Sequence, residues 1–232
     1  MNNLKLLNTT LENLKNKLIS LQKNNISIIL TCCVNVNFNI GCLYQTDKHE
    51  RINIYVKAIN KWIDETTLNI IVVESSGYSF PELQSKVNNR FQIITFDANN
   101  NTECNQLLFK KAKGQWEVFA IQYAYKNSEI LQRSKFIIKI TGRYYIPTFE
   151  KYLIENNIEM YDCLRQNNSD CCEFLGCRRE LFNEIFNIFI EDGHIENVFK
   201  NRINKYNNVL NCNNFEIEPT QQGGLNVIRT FL

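Results

Sequence analysis

The sequence predicts an α/β fold in which helices cover both faces of a mostly parallel central sheet, preceded by an N-terminal amphipathic helix. Short runs rich in Ile and Val alternate with longer segments whose apolar residues recur at helical spacing. Most of the short runs are apolar at nearly every position, which is typical of strands buried on both faces. Alternating strands and helices favour parallel strands, because each helix carries the chain back to the start of the next strand.

Composition limits the classes of function. The 232 residues are 44% apolar and 22% charged, which indicates a globular chain. A net charge of +2 predicts no broad surface for nucleic acid or membrane lipid. No apolar run is long enough to span a bilayer, and no signal-peptide pattern opens the chain. The nine cysteines show no metal-binding spacing and fit a reducing compartment, so we expect a cytoplasmic protein.

An N-terminal helical segment, residues 1–24, carries leucines at alternating steps of three and four. They are Leu4, Leu7, Leu11, Leu14, Leu18 and Leu21. This spacing is that of a coiled-coil stripe, but it is short. The segment therefore either pairs with its copy in a homodimer, through Leu4 to Leu21, or docks on its own domain.

The first predicted strand, residues 26–36, ends in polar residues. No G-x-G-x-x-G follows it, which argues against dinucleotide oxidoreductases and most methyltransferases. Thr31 and Asn35 instead offer side chains to a base or ribose. A helix over residues 47–64 follows, with Arg51 in its first turns. Arg51 either reaches a phosphate or is solvated.

The second and third predicted strands, residues 68–73 and 91–96, also end in polar residues. Glu74 and Ser75 follow the second strand, and a carboxylate there can accept hydrogen bonds from both ribose hydroxyls. Asp97 follows the third strand, within Asp-Ala-Asn-Asn. It either ligates a hard cation or forms an ordinary turn.

The fourth predicted strand, residues 136–140, contains Lys139 and is followed by Thr141-Gly142-Arg143. The guanidinium of Arg143 suits phosphate, and the next two residues, Tyr144-Tyr145, could wall a nucleotide or sugar ring. The alternative is a surface or interface arginine. Before this strand, Lys113-Gly114 opens a helix that reaches about residue 131, and its amino end is a candidate anion site.

The second half predicts a strand over residues 170–177, a helix over 178–190 and a helix from about Glu196 to 206. A short strand at 215–217 leads to Gly223-Gly224, which is either a loop hinge or a plain turn. The closing run, residues 225–232, is expected to pack back on the sheet.

This order of elements, with polar residues at the exit of residues 136–140, resembles the GT-A glycosyltransferases, particularly small ones encoded by giant DNA viruses. The resemblance runs from Ile26 to the C-terminus. It implies a nucleotide-sugar-binding half (25–147) and an acceptor half (148–232) within one domain (25–232). It also implies a nucleoside diphosphate sugar donor, with a UDP-sugar favoured, a hydroxyl acceptor, a role in glycan biosynthesis and, for a viral protein, the host cytoplasm.

The resemblance also implies roles for residues at the predicted strand ends and helix starts. The donor-binding set is Thr31, Asn35, Glu74, Ser75, Lys113, Gly114, Lys139, Thr141, Gly142 and Arg143. Glu196 matches the catalytic base of inverting members, with Asp192 second, although Glu196 could simply favour the helix dipole.

The chain departs from metal-dependent members where Thr141-Gly142-Arg143 replaces Asp-x-Asp. Arg143, with Lys139 or Lys113, could then neutralise the leaving diphosphate without metal, and Asp97 is the remaining candidate ligand for Mn²⁺ or Mg²⁺. Two alternatives stay open: a catalytically inactive nucleotide-sugar-binding or scaffold protein, and a nucleotidyltransferase.

Overall fold

A computed structural model describes residues 25–36, 43–107, 113–167, 171–188 and 194–232. The leucine-rich segment at residues 1–24 and the second candidate base, Asp192, lie outside the described residues. Within them, no helix is both long and apolar enough to cross a membrane.

Seven strands of the described chain form one sheet, in the order β3-β2-β1-β4-β6-β5-β7. They are β1 Ile26–Cys32, β2 Asn69–Glu74, β3 Phe91–Thr95, β4 Phe136–Thr141, β5 Cys163–Arg165, β6 Phe174–Arg178 and β7 Val209–Asn211. Strands β3, β2, β1 and β4 are parallel neighbours, β6 runs antiparallel to β4 and β5, and β7 is parallel to β5. The prediction of a mostly parallel sheet is confirmed.

Helices and a second, smaller sheet surround the central sheet. The α-helices of the described ranges are α1 Lys48–Glu65, α2 Thr102–Leu107, α3 Lys113–Asn127, α4 Glu129–Arg133, α5 Phe149–Glu155, α6 Phe182–Ile185 and α7 Ile195–Ile203. The small sheet is a hairpin of β8 Glu216–Gln221 and β9 Ile228–Phe231. Asp47 caps α1 by accepting a hydrogen bond from the Glu50 amide at 2.8 Å. The helix predicted over residues 47–64 is therefore confirmed.

Alternate residues of each strand pack into the layers on either side of the sheet. In β1, Ile28 and Leu30 join the core that contains Trp62 of α1, whereas Ile29 joins the core that contains Ile121 of α3. All five are fully buried. Because side chains alternate along a strand, a strand apolar on both faces needs a helix on each, as predicted.

The helix predicted to run from residue 113 to about 131 is divided in two. Ser128 is extended and its hydroxyl accepts a hydrogen bond from the Leu131 amide at 3.3 Å, so it ends α3 and caps α4.

The helix predicted over residues 178–190 is also wrong in length. It is a 3-10 turn, Arg179–Leu181, followed by the single turn of α6. Side chains satisfy the carbonyls at its end: Gln122 donates to Phe186 at 2.8 Å, and Arg202 donates to Ile185 at 2.8 Å. These bonds replace further helical turns.

The closing run, residues 225–232, packs on the central sheet only through Leu232, which joins the core that contains Ile28 and Leu30 of β1. Residues 228–231 instead form β9, which pairs antiparallel with β8 in the separate hairpin. Phe215, just before β8, packs edge-on against Phe149 with ring centroids 5.3 Å apart, which anchors the hairpin to the α1 side of the sheet.

The chain order reverses between β1 and β4, because β2 and β3 lie between them in sequence but on one side of β1 in space. The two strands meet tightly where they end. The Gly142 amide donates to the Thr31 carbonyl at 2.9 Å, and a Cβ on Gly142 would lie 2.5 Å from Cys32 Sγ. Only glycine fits this contact.

Candidate functional site

The reversal point between β1 and β4 is occupied by a hydrogen-bonded group of charged and hydroxyl side chains. Glu117 of α3 reaches across the ends of both strands. Its Oε1 accepts from the Thr31 hydroxyl at 2.9 Å and from the Lys139 ammonium at 2.8 Å. Open α/β sheets bind ligands outside the carboxyl ends of their strands at such a reversal, so this group lies where a ligand site is expected.

Lys139 is held in place from three sides. Its side chain is 1% exposed, and besides Glu117 its Nζ donates to the Thr141 hydroxyl at 3.2 Å and to the Cys172 carbonyl at 2.7 Å. Three donors and three acceptors leave this ammonium fully satisfied.

The electrostatics of the pair keep both partners charged. Burial is the largest single influence on Lys139 and lowers its pKa, but Glu117, together with Cys172 and Glu173, outweighs burial and leaves the pKa of the lysine raised. Burial likewise works against the charge of Glu117, yet Lys139, helped by Thr31 and Lys113, leaves the pKa of the carboxyl lowered. At neutral pH the site therefore contains a fixed carboxylate and a fixed ammonium.

Three predicted site residues lie at helix starts beside this group. Gly114, next to Lys113 in the first turn of α3, packs so closely on α7 that a Cβ there would lie 2.6 Å from Ile195 Cβ. Glu196 follows Ile195 and lines a cavity of about 20 Å³ with Cys172, whose carbonyl binds Lys139. The structure thus brings Lys113, Gly114 and Glu196 to the same corner as Lys139.

Glu74 links the residues that follow β1 to those that follow β2. Its carboxylate is fully buried and accepts from the Val34, Ser76 and Tyr78 amides at 2.8–2.9 Å and from the Ser76 hydroxyl. Burial raises the pKa of Glu74, and these donors oppose the rise. Both of its oxygens are occupied by its own chain. The ribose-accepting role predicted for Glu74 is therefore not open in this arrangement.

Asn35 and Ser75 lie on the same side. The Asn35 amide donates to the Ser76 hydroxyl at 2.8 Å, and its side chain is exposed. Ser75 donates through both its amide and its hydroxyl to the Cys32 carbonyl, at 3.1 and 3.3 Å. Both residues therefore lie just beyond the ends of β1 and β2, at the carboxyl edge of the sheet.

Arg143 lies apart from Lys139, on the α1 side of the sheet. It is 8% exposed and donates to Gln45 Oε1 at 3.2 Å and to the Gln221 carbonyl at 3.3 Å. Gly223 lies directly over the guanidinium, where a side chain would clash with it. Arg143 reaches a cleft of about 100 Å³ between α1 and β8, which Lys57 also lines. The C-terminal hairpin therefore covers the arginine predicted to bind the diphosphate.

Arg51 is not solvated. It is 4% exposed, and its guanidinium donates to the carbonyls of Cys33 and Gln45 and to the Tyr55 hydroxyl. The first two contacts hold both ends of the connection between β1 and α1. Arg51 is therefore buried and stabilises that connection through hydrogen bonds.

Asp97 forms an ordinary turn. Its carboxylate accepts from the Asn99 amide at 3.0 Å and from Asn100 Nδ2 at 2.6 Å. Across the described ranges, no three His, Cys, Asp or Glu side chains gather in a way that could hold a metal ion. The described residues therefore do not fit the Mn²⁺ or Mg²⁺ site implied by the resemblance.

The aromatic pair after Arg143 belongs to the core. Tyr144 is 1% and Tyr145 7% exposed, and Trp62 contacts both: its Nε1 donates to the Tyr144 carbonyl at 2.9 Å and its ring meets Tyr145 edge-on. Tyr144 is not placed to wall a ligand, because the loop after Gly142 turns into the α1 layer, whereas Tyr145 lines the cleft that Arg143 reaches.

Glu117 is the candidate site residue that the sequence analysis missed. Placed four residues after Lys113 near the start of a helix, it has the spacing of a solvated ion pair. The available signal was Lys139, a charge inside an apolar strand. A buried lysine requires an acidic partner, and the helix packed across the strand ends is where that partner would come from.

Comparison with known proteins finds similarity to solved structures. No family model and no curated protein matches the sequence. One similar solved structure is a candidate nucleotide-diphospho-sugar transferase from Desulfovibrio desulfuricans G20, with 12% identity and a TM-score of 0.48, covering 81% of this chain and 79% of that one. Another is 4-diphosphocytidyl-2C-methyl-D-erythritolsynthase from Anaerococcus prevotii DSM 20548, with 9% identity and a TM-score of 0.48, covering 87% and 91%. At these values neither likeness bears on what this chain does.

Proposed function

We propose that the chain is a glycosyltransferase that moves a sugar from a nucleoside diphosphate sugar, with a UDP-sugar favoured, to a hydroxyl acceptor. One observation carries the proposal: Thr31, Glu117, Lys139 and Thr141 gather where β1 and β4 end and the chain order reverses. This is the edge at which open α/β sheets bind nucleotides. The resemblance to GT-A enzymes in element order agrees with that placement.

The donor would lie along this edge. Thr31, Asn35 and Ser75 stand on the nucleoside side of the strand ends. Lys113, an exposed cation at the start of α3, would meet the diphosphate, together with the backbone amides around Gly114. Lys139 would act only through the electrostatic field of its charge, because its three N–H donors already make hydrogen bonds within the chain.

The chemical step needs a base and a stabilised leaving group. Glu196 would accept the proton of the acceptor hydroxyl as its oxygen attacks the anomeric carbon, with Asp192 as the second candidate. The diphosphate leaves with its charge neutralised by Lys113 and Arg143. Arg143 can take part through the cleft beside α1, or after the Gly223 turn has moved. No step is assigned to a metal ion.

Other parts of the proposal concern the whole chain. Residues 25–147 would form the donor half and residues 148–232 the acceptor half. Residues 1–24 would mediate a homodimer or dock on the domain. The protein would act in the cytoplasm.

A second candidate is an inactive nucleotide-sugar-binding or scaffold protein. Two observations favour it: Thr141-Gly142-Arg143 stands in place of Asp-x-Asp, and Gly223 covers Arg143. A nucleotidyltransferase would use the same edge but normally requires metal-binding carboxylates.

Product analysis separates these functions. The protein is incubated with UDP-glucose and other UDP-sugars, and separately with UTP and sugar 1-phosphates, each with Mn²⁺ or with a chelator. Release of UDP supports sugar transfer, since slow hydrolysis of the donor accompanies it. Release of pyrophosphate from UTP would show nucleotidyl transfer, and binding without either product would show the inactive protein.

A further inference from the structure

The carboxylate of Glu117 is anchored through one oxygen only. Oε1 accepts from both Thr31 and Lys139, whereas no donor contacts Oε2 among the residues that the structure describes. The Glu117 side chain is 23% exposed while that of Lys139 is 1% exposed. The open part of the pair is therefore the carboxylate, at the edge where β1 and β4 end.

The chemistry of this oxygen restricts what it can bind. An ionised carboxylate is an acceptor only, so its ligand must supply hydrogen-bond donors. A phosphate is excluded as a partner by like charge. The Lys139 ammonium 2.8 Å from Oε1 disfavours a metal ion, and no group of three metal-ligating side chains exists in the described chain. Neutral donors remain, and in a nucleotide sugar most of these are the hydroxyl groups of its sugar rings.

Glu117 is also too acidic to be the general base. A base that takes a hydroxyl proton needs a pKa near the working pH, whereas the lysine beside Glu117 leaves its pKa lowered. A carboxylate of this kind orients hydroxyls by accepting their hydrogen bonds. Glu74, the carboxylate predicted for this task, has both oxygens occupied.

We infer that Glu117 is the residue that binds a hydroxyl-bearing sugar ring of the ligand, through Oε2, at the carboxyl ends of β1 and β4. The inference rests on the proposed function and adds a binding residue to it. The ring is either the ribose of the nucleotide or the sugar that is transferred. Thr31 and Lys139 are positioning residues that hold Oε1.

The test compares three ligands by calorimetry: UDP, 2′-deoxy-UDP and UDP-glucose. If Glu117 holds the ribose, the wild type prefers UDP over 2′-deoxy-UDP, and Glu117→Gln abolishes that preference. If Glu117 holds the transferred sugar, the wild type prefers UDP-glucose over UDP, and the variant abolishes that preference instead. A hydrogen bond to a charged group corresponds to a change of about tenfold to hundredfold in Kd.

Two further variants control the test. Glu103→Gln removes an exposed carboxylate that pairs with Lys126 at the other end of α3, and should leave both preferences unchanged. Glu117→Gln combined with Lys139→Met avoids an uncompensated buried charge, so it gives the same readout if the single variant fails to fold.

Distinct results would overturn the inference and the proposed function. If the wild type binds UDP or UDP-glucose and both preferences survive in folded Glu117 variants, the hydroxyl-binding role is wrong while the nucleotide site stands. The absence of any preference in a wild type that binds UDP would also overturn it. No binding of any of the three ligands would remove the proposed function as well.

Discussion

The pair formed by Lys139 and Glu117 is asymmetric in burial, which predicts unequal effects of removing either side. Glu117→Ala leaves a fully buried ammonium without its carboxylate and should lower the free energy of unfolding by about 3 kcal/mol or more. Lys139→Met leaves a partly exposed carboxylate that water can reach, and should cost about 1 kcal/mol. Urea denaturation of both variants measures which of them loses more of the free energy of unfolding. A larger loss for Lys139→Met would contradict it.

The same pair predicts a pH dependence. The pKa of Glu117 is lowered in the fold, so its contribution to stability is present above the ordinary value of 4.5 and is lost as the pH falls through the folded value. The pKa of Lys139 is raised, so its contribution is present below 10.5 and is lost as the pH rises through the folded value.

The stability difference between the wild type and Glu117→Gln/Lys139→Met should therefore stay constant through neutral pH and change below 4.5 and above 10.5. Urea denaturation over a pH series measures it. A difference that keeps its neutral value throughout acid pH would contradict the charge state assigned to the pair.

Gly142 gives a prediction that depends on space alone. Gly142→Ala places a methyl group 2.5 Å from Cys32 Sγ and 2.8 Å from the Thr31 carbonyl, both within the buried sheet edge. Overpacking of this kind costs about 1–3 kcal/mol, which thermal unfolding would show as a lower Tm. An unchanged Tm would mean that β1 and β4 do not meet as closely as described.

At the scale of elements, the β8–β9 hairpin decides whether Arg143 is accessible. The Gly223 carbonyl accepts from the Tyr44 amide at 2.9 Å, and Glu218 of β8 pairs with Lys57 and Lys61 of α1. Gly223→Ala should push the turn off the guanidinium and speed hydrogen exchange at the Tyr44 amide. Glu218→Gln, which removes only exposed ion pairs, should have little effect. Equal exchange in Gly223→Ala and the wild type would contradict this account of the hairpin.

The sequence predicts the long elements of this fold well and the short ones poorly. Strands β1 to β4 are mostly apolar runs, and α1 has both a capping aspartate and a helical stripe. Strands β5 and β7 have three residues each, too few to show a period of two. The position at which α6 ends depends on side-chain hydrogen bonds from Gln122 and Arg202. No local sequence pattern reveals these bonds.

At the scale of the whole molecule, the sequence predicts that the candidate site lies at the carboxyl edge of the central sheet. It does not predict that the site residues are divided between the two faces of that sheet. Lys139 and Thr141 share one side of β4, as a period of two predicts. Arg143 would continue that series if the strand continued, but β4 ends at Thr141 and the turn at Gly142 sends Arg143 into the α1 layer. The partner Glu117 comes from a helix brought to this edge only by folding.

The central claim is that a nucleoside diphosphate binds where β1 and β4 end. Its most direct test is a thermal-shift panel of nucleoside diphosphates and nucleotide sugars, with Mn²⁺ or with a chelator, on the wild type, Lys113→Ala, Arg143→Ala and the exposed control Lys151→Ala. A ligand at about 100 times its Kd adds about 2.7 kcal/mol of stability, a rise of about 5–10 °C in Tm for a chain of this size. We predict such a rise with UDP or a UDP-sugar, retained in the chelator and in Lys151→Ala, and reduced in Lys113→Ala and Arg143→Ala. No rise with any nucleotide, or equal rises in all four proteins, would contradict a nucleotide site at this edge.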